Sequence, residues 1–221
     1  MAYLCNYRQS VFSNEKSADE SNVNYLNTQV NHQHDKSYTF EKLFRDYNQK
    51  YISNINYFSS LRPIGELQIA KLFSQLGQKY FKSFISCNVG QKENYWCLKC
   101  PKCLSTFMLL YPFLGEETAK IFGVNLYGEM KHKSILEALI LPDIPKPFEC
   151  VATKEEMVAA VVMAYEKSSD SNLKLLDYAY GLVQSRGLDK NIILEKVMSD
   201  FSKRHFLPRD FEKILSSAIE V

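Results

Sequence analysis

Four cysteines that fall within seventeen residues constrain the fold of this chain more than any other feature of its sequence. Their spacing is C-x9-C-x2-C-x2-C, from Cys87 through Cys97 and Cys100 to Cys103. A C-x2-C turn can aim two thiolates at one metal ion, and two further thiolates complete a tetrahedral set. A closed set of four thiolates contributes folding free energy and leaves no open position for a substrate. The spacing therefore predicts a structural zinc site formed by Cys87, Cys97, Cys100 and Cys103.

Two other uses of these cysteines stay open at this point. A C-x2-C pair can work as a redox dithiol, and cysteine also serves as a small apolar residue in protein cores. A disulfide framework suits shorter, exported chains. Met1 to Asn6 lack the cationic flank and the long apolar stretch of a signal peptide. We therefore expect a cytoplasmic protein.

The composition is that of a globular protein. At about 150 residues per domain, 221 residues make one or two domains. Hydrophobic residues at 46% and charged residues at 24% exclude wholesale disorder. The net charge of +2, from 27 basic and 25 acidic residues, does not favour a nucleic acid or a membrane surface as partner. No apolar run approaches the roughly 20 residues that a membrane span requires.

Apolar spacing and capping signals predict the local structure. A short apolar stretch at 10–13 precedes a long polar tract at 14–37, which we interpret as a strand followed by a functional loop. An extended segment is predicted at 57–60 and a stiff, proline-rich connector at 141–148. Apolar stripes that predict the buried faces of helices run through 40–51, 64–76 (with Pro63 in the first turn), 104–111 (ending near Pro112), 136–140, 157–165, 173–183, 193–201 and 211–218. Ser134 with Glu137, and Thr153 with Glu156, have the spacing of capping boxes.

Three motifs in a fixed order carry a family resemblance. They are Ser13-Asn14-Glu15-Lys16-Ser17-Ala18, then Asn31-His32-Gln33-His34-Asp35-Lys36-Ser37 with Phe40-Glu41, and then Phe58-Ser59-Ser60-Leu61-Arg62-Pro63-Ile64-Gly65-Glu66. With the cysteine cluster and Pro147-Phe148-Glu149-Cys150-Val151, they resemble the UDP-N-acetyl-alpha-D-muramoyl-L-alanyl-L-glutamate epimerase family of bacterial cell-wall synthesis. The similarity covers most of residues 10–160.

The resemblance implies an ATP-dependent isomerase of peptidoglycan biosynthesis, a pathway on which cell shape and cell division depend. The implied reaction epimerises the terminal L-Glu of a UDP-linked muramoyl dipeptide to D-Glu through an acyl adenylate, with release of AMP and pyrophosphate. The cysteine pattern is also similar to that of 7-cyano-7-deazaguanine synthase and other ATP-pyrophosphatase-type enzymes, in which the matching cysteines hold zinc. The expected cofactors are structural Zn²⁺, with ATP and Mg²⁺ as co-substrate.

The expected fold class is α/β. Residues 1–148 are expected to form the C-terminal part of an adenine-nucleotide-hydrolase-like parallel sheet, with the zinc knot at 87–103. Residues 149–221 are expected to form a small all-helical domain.

The resemblance also suggests site residues. Histidine is the side-chain type most suited to proton transfer near neutral pH, so His32 and His34 are candidates for this role, with Glu66 as an alternative base or a magnesium ligand. Each has a simpler interpretation, as a solvated loop histidine or as a carboxylate stabilised in the first turn of a helix. Candidates for binding the substrate or nucleotide are Asn14, Glu15, Ser17, Asn31, Lys36 and Arg62, although Arg62 also fits a helix-entry hydrogen bond or a surface ion pair.

One departure from the family limits these expectations. The family's N-terminal Ser-Gly-Gly-x-Asp-Ser phosphate loop does not occur among the eight glycines of this sequence. We therefore expect the chain to correspond to the C-terminal portion of a longer enzyme, with a missing N-terminal half or a second chain as partner. The alternatives are a non-catalytic, zinc-stabilised module that binds a partner, and a related ATP-dependent, carboxylate-activating enzyme of the 7-cyano-7-deazaguanine synthase type.

Overall fold

The computed structural model describes residues 2–52, 55–168, 172–187 and 189–220, and it is mixed α/β with a predominance of helix. No helix in these ranges is long and apolar enough to cross a membrane. In chain order the strands and helices are β1 (Gln9–Phe12), β2 (Val23–Tyr25), β3 (Thr28–Val30), α1 (Tyr38–Tyr51), β4 (Asn56–Ser59), α2 (Glu66–Leu76), α3 (Pro101–Leu114), α4 (Glu116–Phe122), α5 (Lys133–Ile140), α6 (Lys154–Lys167), α7 (Lys174–Ser185), α8 (Lys190–Ser199) and α9 (Arg209–Glu220).

The chain forms two compact units, which are Met1–Glu66 with Ser199–Val221, and Leu67–Met198. This division differs from the predicted domains 1–148 and 149–221. Helix α9 belongs to the first unit because Phe211 contacts Phe58 of β4, with 5.4 Å between the ring centroids. Helices α6 and α7 share one hydrophobic core with the cysteine cluster.

In the first unit, β1 and β4 form a parallel pair in which Gln9 lies opposite Asn56 and Phe12 opposite Ser59. Parallel strands need a crossover connection, and α1 lies in this one. The connection also contains an antiparallel hairpin of β2 and β3. Its two turn residues, Leu26 and Asn27, both have positive φ, as a tight hairpin turn with the twist of its strands requires. The predicted loop at 14–37 is therefore partly regular structure.

Most of the apolar stripe predicted along α1 is exposed in the structure. Leu43, Tyr47 and Tyr51 are 59%, 55% and 63% exposed, whereas the polar Glu41 and Asn48 are buried. The prediction that the whole stripe faces a core is wrong for Leu43, Tyr47 and Tyr51, because the side of α1 that bonds to β4 and the residue before it carries the polar pair. Phe44 of the same stripe does contact Tyr57 of β4. Asn48 Nδ2 donates to the Ile55 carbonyl at 2.7 Å, and Glu41 accepts from the Ser59 amide at 2.9 Å.

In the second unit, α3 packs against α6 and α6 against α7 around one hydrophobic core. The predicted capping box at Thr153 and Glu156 is confirmed, since both of its reciprocal hydrogen bonds form at the start of α6. The box predicted at Ser134 is wrong, because α5 already begins at Lys133.

Two helix boundaries near prolines also differ from the predictions. Pro63 precedes α2 by a turn in which the Ile64 amide donates to the Leu61 carbonyl. Pro112 lies inside α3, which runs on to Leu114.

Candidate functional site

The four cysteine sulfurs of the second unit converge on one point. All four lie within 4.8 Å of one another. The Sγ–Sγ distances are 4.0 Å for Cys87–Cys100, 3.8 Å for Cys97–Cys103 and 3.5 Å for Cys100–Cys103. A tetrahedral zinc with Zn–S bonds of about 2.3 Å would hold its sulfurs about 3.8 Å apart. Disulfide bonds do not form here, since all six cysteines are free. The quartet therefore fits a four-thiolate metal ion.

Backbone amides surround the sulfur of Cys87. The amides of Gly90 and Cys97 donate to it at 3.1 and 3.4 Å. Burial raises the pKa of this thiol, but the hydrogen bonds from the two amides and from the side chains of Cys97 and Cys103 together outweigh burial and lower the pKa to about 7. Only glycine fits at position 90, because the Cβ atom of any other residue would lie 2.2 Å from the Tyr95 carbonyl oxygen.

The sulfurs of Cys100 and Cys103 lie at the first turn of α3. Cys100 is the N-cap residue, Pro101 opens the helix, and Cys103 lies one turn further on. A helix N-terminus stabilises thiolates. Glu149 caps the same turn, since its carboxylate accepts from the Lys102 amide at 2.9 Å. Burial raises the pKa of the Cys100 and Cys103 thiols, so holding both as thiolates without a cation is costly.

Trp96, next to Cys97, belongs to an aromatic cluster. Its ring stacks on Phe122 with a centroid distance of 4.0 Å and meets the edge of Phe84 at 5.6 Å. The indole is thereby packed into the core of the unit and supports the loop that carries Cys97.

The first unit has a pocket of about 400 Å³ at the carboxyl end of β1. Ligands of parallel sheets bind at this end of the strands. Burial raises the pKa of Tyr57 in its wall, and nearby Glu41 raises it further. The lining combines an aromatic wall with three polar residues, and it consists of Phe12, Asn14, Asp35, Lys36, Phe40, Phe44 and Tyr57.

Arg62 holds the loops beside this pocket. Its side chain is 1% exposed and forms a buried ion pair with Glu41, with 3.0 Å between Nε and Oε2. The guanidinium also donates to the carbonyls of Glu15, at 2.6 Å, and Lys36. These two residues neighbour or belong to the pocket lining, so Arg62 fixes the positions of both loops.

The remaining predicted residues of the first unit divide into two groups. Asn14 and Lys36 line the pocket. Ser17 and Asn31 support the backbone: Ser17 Oγ accepts from the first amide of α2, on Glu66, at 2.9 Å, and the Asn31 amide group donates to the Ala18 carbonyl at 2.8 Å. His32 and His34 are exposed, and neither these histidines nor Glu66 is among the described lining residues.

Sequence reasoning missed Asp35 and Glu41 as residues of interest. Both stand inside the quoted motifs, Asp35 between His34 and Lys36 and Glu41 after Phe40. The sequence does contain a signal for Glu41. It lies seven residues before Asn48 in a predicted helix, so the two polar side chains share one face, and such a pair can indicate a polar contact made by that face.

Comparisons with known proteins agree with the motif resemblance. A family model described as the MurL N-terminal domain matches residues 1–60, and one described as the MurL C-terminal domain matches residues 83–190. A protein of Xanthomonas oryzae pv. oryzae named UDP-N-acetyl-alpha-D-muramoyl-L-alanyl-L-glutamate epimerase is 37% identical over 172 residues, which are 74% of this chain and 38% of that protein. Proteins of the same name from Salinispora tropica and a Micromonospora species are each 36% identical, over 72% and 71% of this chain and 36% of their own lengths.

The chain belongs to the UDP-N-acetyl-alpha-D-muramoyl-L-alanyl-L-glutamate epimerase family. It spans less than two-fifths of the length of these relatives. No solved structure gives a significant match. The first family match contains the pocket and Lys36, and the second contains the four cysteines.

Proposed function

We propose that this chain is part of a peptidoglycan-precursor epimerase, which converts the terminal L-Glu of UDP-MurNAc-L-Ala-L-Glu to D-Glu with consumption of ATP. The observation that carries this proposal is the identity of 36–37% to three proteins named for this reaction. The alternation of β1, α1 and β4 supports a further proposal, that the first unit is part of an adenine-nucleotide-hydrolase-like sheet.

The chemistry explains why ATP would be consumed. The α-proton of a carboxylate is hard to remove, because the carbanion would form next to a negative charge. Attack of the carboxylate on ATP, with pyrophosphate leaving, gives an acyl adenylate whose α-proton is more acidic. A base then removes this proton, the proton returns to the other face, and water releases AMP and the D-Glu product. General acid and base groups contribute about 10²–10⁴-fold to such a step.

In this proposal Lys36 and Asn14 hold an anionic group of the substrate in the pocket at the end of β1. His32, His34 and Glu66 stay candidates for proton transfer. Glu15, Asn31 and Arg62 act by positioning the loops beside the pocket, and Ser17 acts by positioning the start of α2. Mg²⁺ would bind together with ATP.

We further propose that Cys87, Cys97, Cys100 and Cys103 hold one structural Zn²⁺ ion. The distances between their sulfurs and the amides directed at Cys87 support this assignment. A fourfold set of protein sulfurs leaves no position for substrate, so the ion would stabilise the second unit and take no part in proton transfer.

The test is an assay with ATP and UDP-MurNAc-L-Ala-L-Glu, in the presence of the zinc-loaded chain and the remainder of the Xanthomonas oryzae relative. We expect D-Glu in the product, with one AMP for each turnover. Lys36→Ala should lower this rate by at least about 10-fold, whereas Lys42→Ala, an exposed lysine of α1 outside the pocket lining, should not change it. Folded protein that forms neither D-Glu nor AMP would contradict the proposal.

A non-catalytic binding module is the second candidate, and the exposed apolar stripe of α1 favours it. In that case the chain would bind the remainder of the relative as a partner, with a heat change detectable by calorimetry, but no AMP would appear. AMP formation with a different carboxylate and no D-Glu would instead indicate a related carboxylate-activating enzyme.

A further inference from the structure

Strand β1 carries apolar side chains on both faces, as a buried strand does, but it lies at the edge of the described sheet. Val11 and Phe12 point to opposite faces of the sheet and are 46% and 47% exposed. Strands of parallel sheets are normally covered on both faces and carry apolar residues on each. The neighbouring β4 is covered in this way, since Phe58 is fully buried and contacts Phe211 of α9 while Tyr57 contacts Phe44 of α1.

The outer edge of β1 has unused backbone groups. The carbonyls of Arg8 and Phe12 accept from the amides of Asn56 and Ser60, at 2.8 and 2.7 Å. Because donors and acceptors alternate along a parallel strand, the N–H and C=O groups of Val11 face away from β4. Within the described ranges of the chain, β1 pairs with β4 alone. An exposed apolar edge of this kind is a template for a further strand.

The apolar stripe of α1 continues this surface. Phe12 contacts Tyr57 with 4.9 Å between centroids, and Tyr57 contacts Phe44 at 4.7 Å. From Phe44 the exposed stripe runs along the helix to Tyr51. Edge strand and helix thus form one apolar surface inside the first unit, and we call it the β1–α1 surface; it consists of Phe12, Leu43, Phe44, Tyr47 and Tyr51. Val11 adds an exposed apolar side chain on the other face of the same edge strand.

We propose that the β1–α1 surface binds the part of the longer family members that lies outside the segment matched by this chain, and that this part adds a parallel or antiparallel strand to the free edge of β1. The relatives extend over more than twice the matched length, since the match covers 36–38% of them. A two-stranded sheet is only marginally stable by itself, so the added strand has a physical reason to pair here. The proposal rests on this surface and on family membership, and not on the proposed catalytic function.

The experiment uses a chimera of the Xanthomonas oryzae relative in which this chain replaces the matched segment, compared with the isolated chain. Val11→Pro removes the outward N–H without removing a bond to β4, and proline is tolerated at such edge positions. Val11→Thr is the matched control, because it keeps the N–H and the β-branched shape.

In the chimera we expect hydrogen exchange of the Val11 amide to slow by about 100-fold or more relative to the isolated chain. V11P, compared with V11T, should lower the melting temperature of the chimera by several degrees and leave that of the isolated chain unchanged.

Three results would overturn the proposal. The Val11 amide could exchange equally fast in both proteins, V11P could destabilise both equally, or the isolated chain could form a dimer that V11P dissociates, which would make a second copy the occupant. If the chimera does not fold, the chain is coexpressed with the remainder of the relative as a separate polypeptide. Copurification of the remainder with V11T but not with V11P then supports the proposal, and any other pattern overturns it. None of these readouts depends on catalysis.

Discussion

Gly90 supports the cysteine cluster in two ways, through the absence of a side chain and through its backbone amide. A Cβ atom would overlap the Tyr95 carbonyl oxygen, and the amide donates to the sulfur of Cys87. We expect Gly90→Ala to weaken zinc binding by about 10–100-fold, the usual effect of losing a group that orients a metal ligand. Competition with a chromophoric chelator measures this change.

The matched control for this substitution is Gly181→Ala. Gly181 lies in α7 with open space around it, so an added methyl group should raise the free energy of unfolding by about 0.5–1 kcal/mol and leave zinc binding unchanged. Equal zinc affinity in the Gly90→Ala and wild-type proteins would contradict the described geometry of the loop.

The buried pair of Arg62 and Glu41 should dominate the stability of the first unit. Removing one partner leaves an uncompensated charge, so Arg62→Ala should lower the free energy of unfolding by about 3–5 kcal/mol in urea denaturation. The double variant with Glu41→Ala should lose much less than the sum of the two single losses. Lys120→Ala removes an exposed ion pair with Glu117 and should have no measurable effect. Additive losses would show that the pair does not form.

Helix caps offer a test at the level of elements. The hydroxyl of Thr153 accepts from the Glu156 amide at 3.2 Å, so Thr153→Ala should cost about 1 kcal/mol of unfolding free energy. Ser134 shares the same sequence spacing but is exposed inside α5, and Ser134→Ala should cost nothing. Thermal or urea unfolding of the two variants distinguishes the real cap from the apparent one. Equal losses would contradict the start assigned to α5.

The elements show what the sequence can and cannot predict. Apolar spacing correctly indicates α1, α2, α3, α5, α6, α7, α8 and α9, because helical periodicity is local, and it does not indicate the short α4. It does not indicate what covers a stripe, so the same spacing predicts a buried apolar face for α1, where the structure has an exposed one. The assignment of α9 to the first unit depends on the contact between Phe58 and Phe211, which no local pattern encodes.

The same distinction holds for the two candidate sites. The convergence of the four cysteines was predictable, since the ligand spacing lies within seventeen residues. The aromatic wall of the pocket was not, because it is assembled from β1, α1 and β4. The burial of Arg62 was not predictable either, since it depends on Glu41 from another element.

Metal content is a property of the whole molecule. If the quartet binds zinc, elemental analysis should give about one zinc per chain, and removing it should lower the melting temperature because metal binding free energy is folding free energy. Cys103→Ser should reproduce this loss, whereas Cys5→Ser, at an exposed cysteine outside the quartet, should not. Less than about half an equivalent of zinc, or an unchanged melting temperature after chelation, would contradict the four-thiolate site.

The first compact unit consists of two segments that are far apart in the sequence, and this affects the order in which the protein folds during synthesis. A ribosome delivers Leu67–Met198 as one continuous stretch before it delivers Ser199–Val221. Domains fold as units during synthesis, at about 5–20 residues per second. The residues of the helical unit are therefore synthesised before Phe211, which covers Phe58 of β4 in the folded protein. Until Phe211 is available, the apolar face of β4 is exposed, and chaperones that bind apolar segments can bind it.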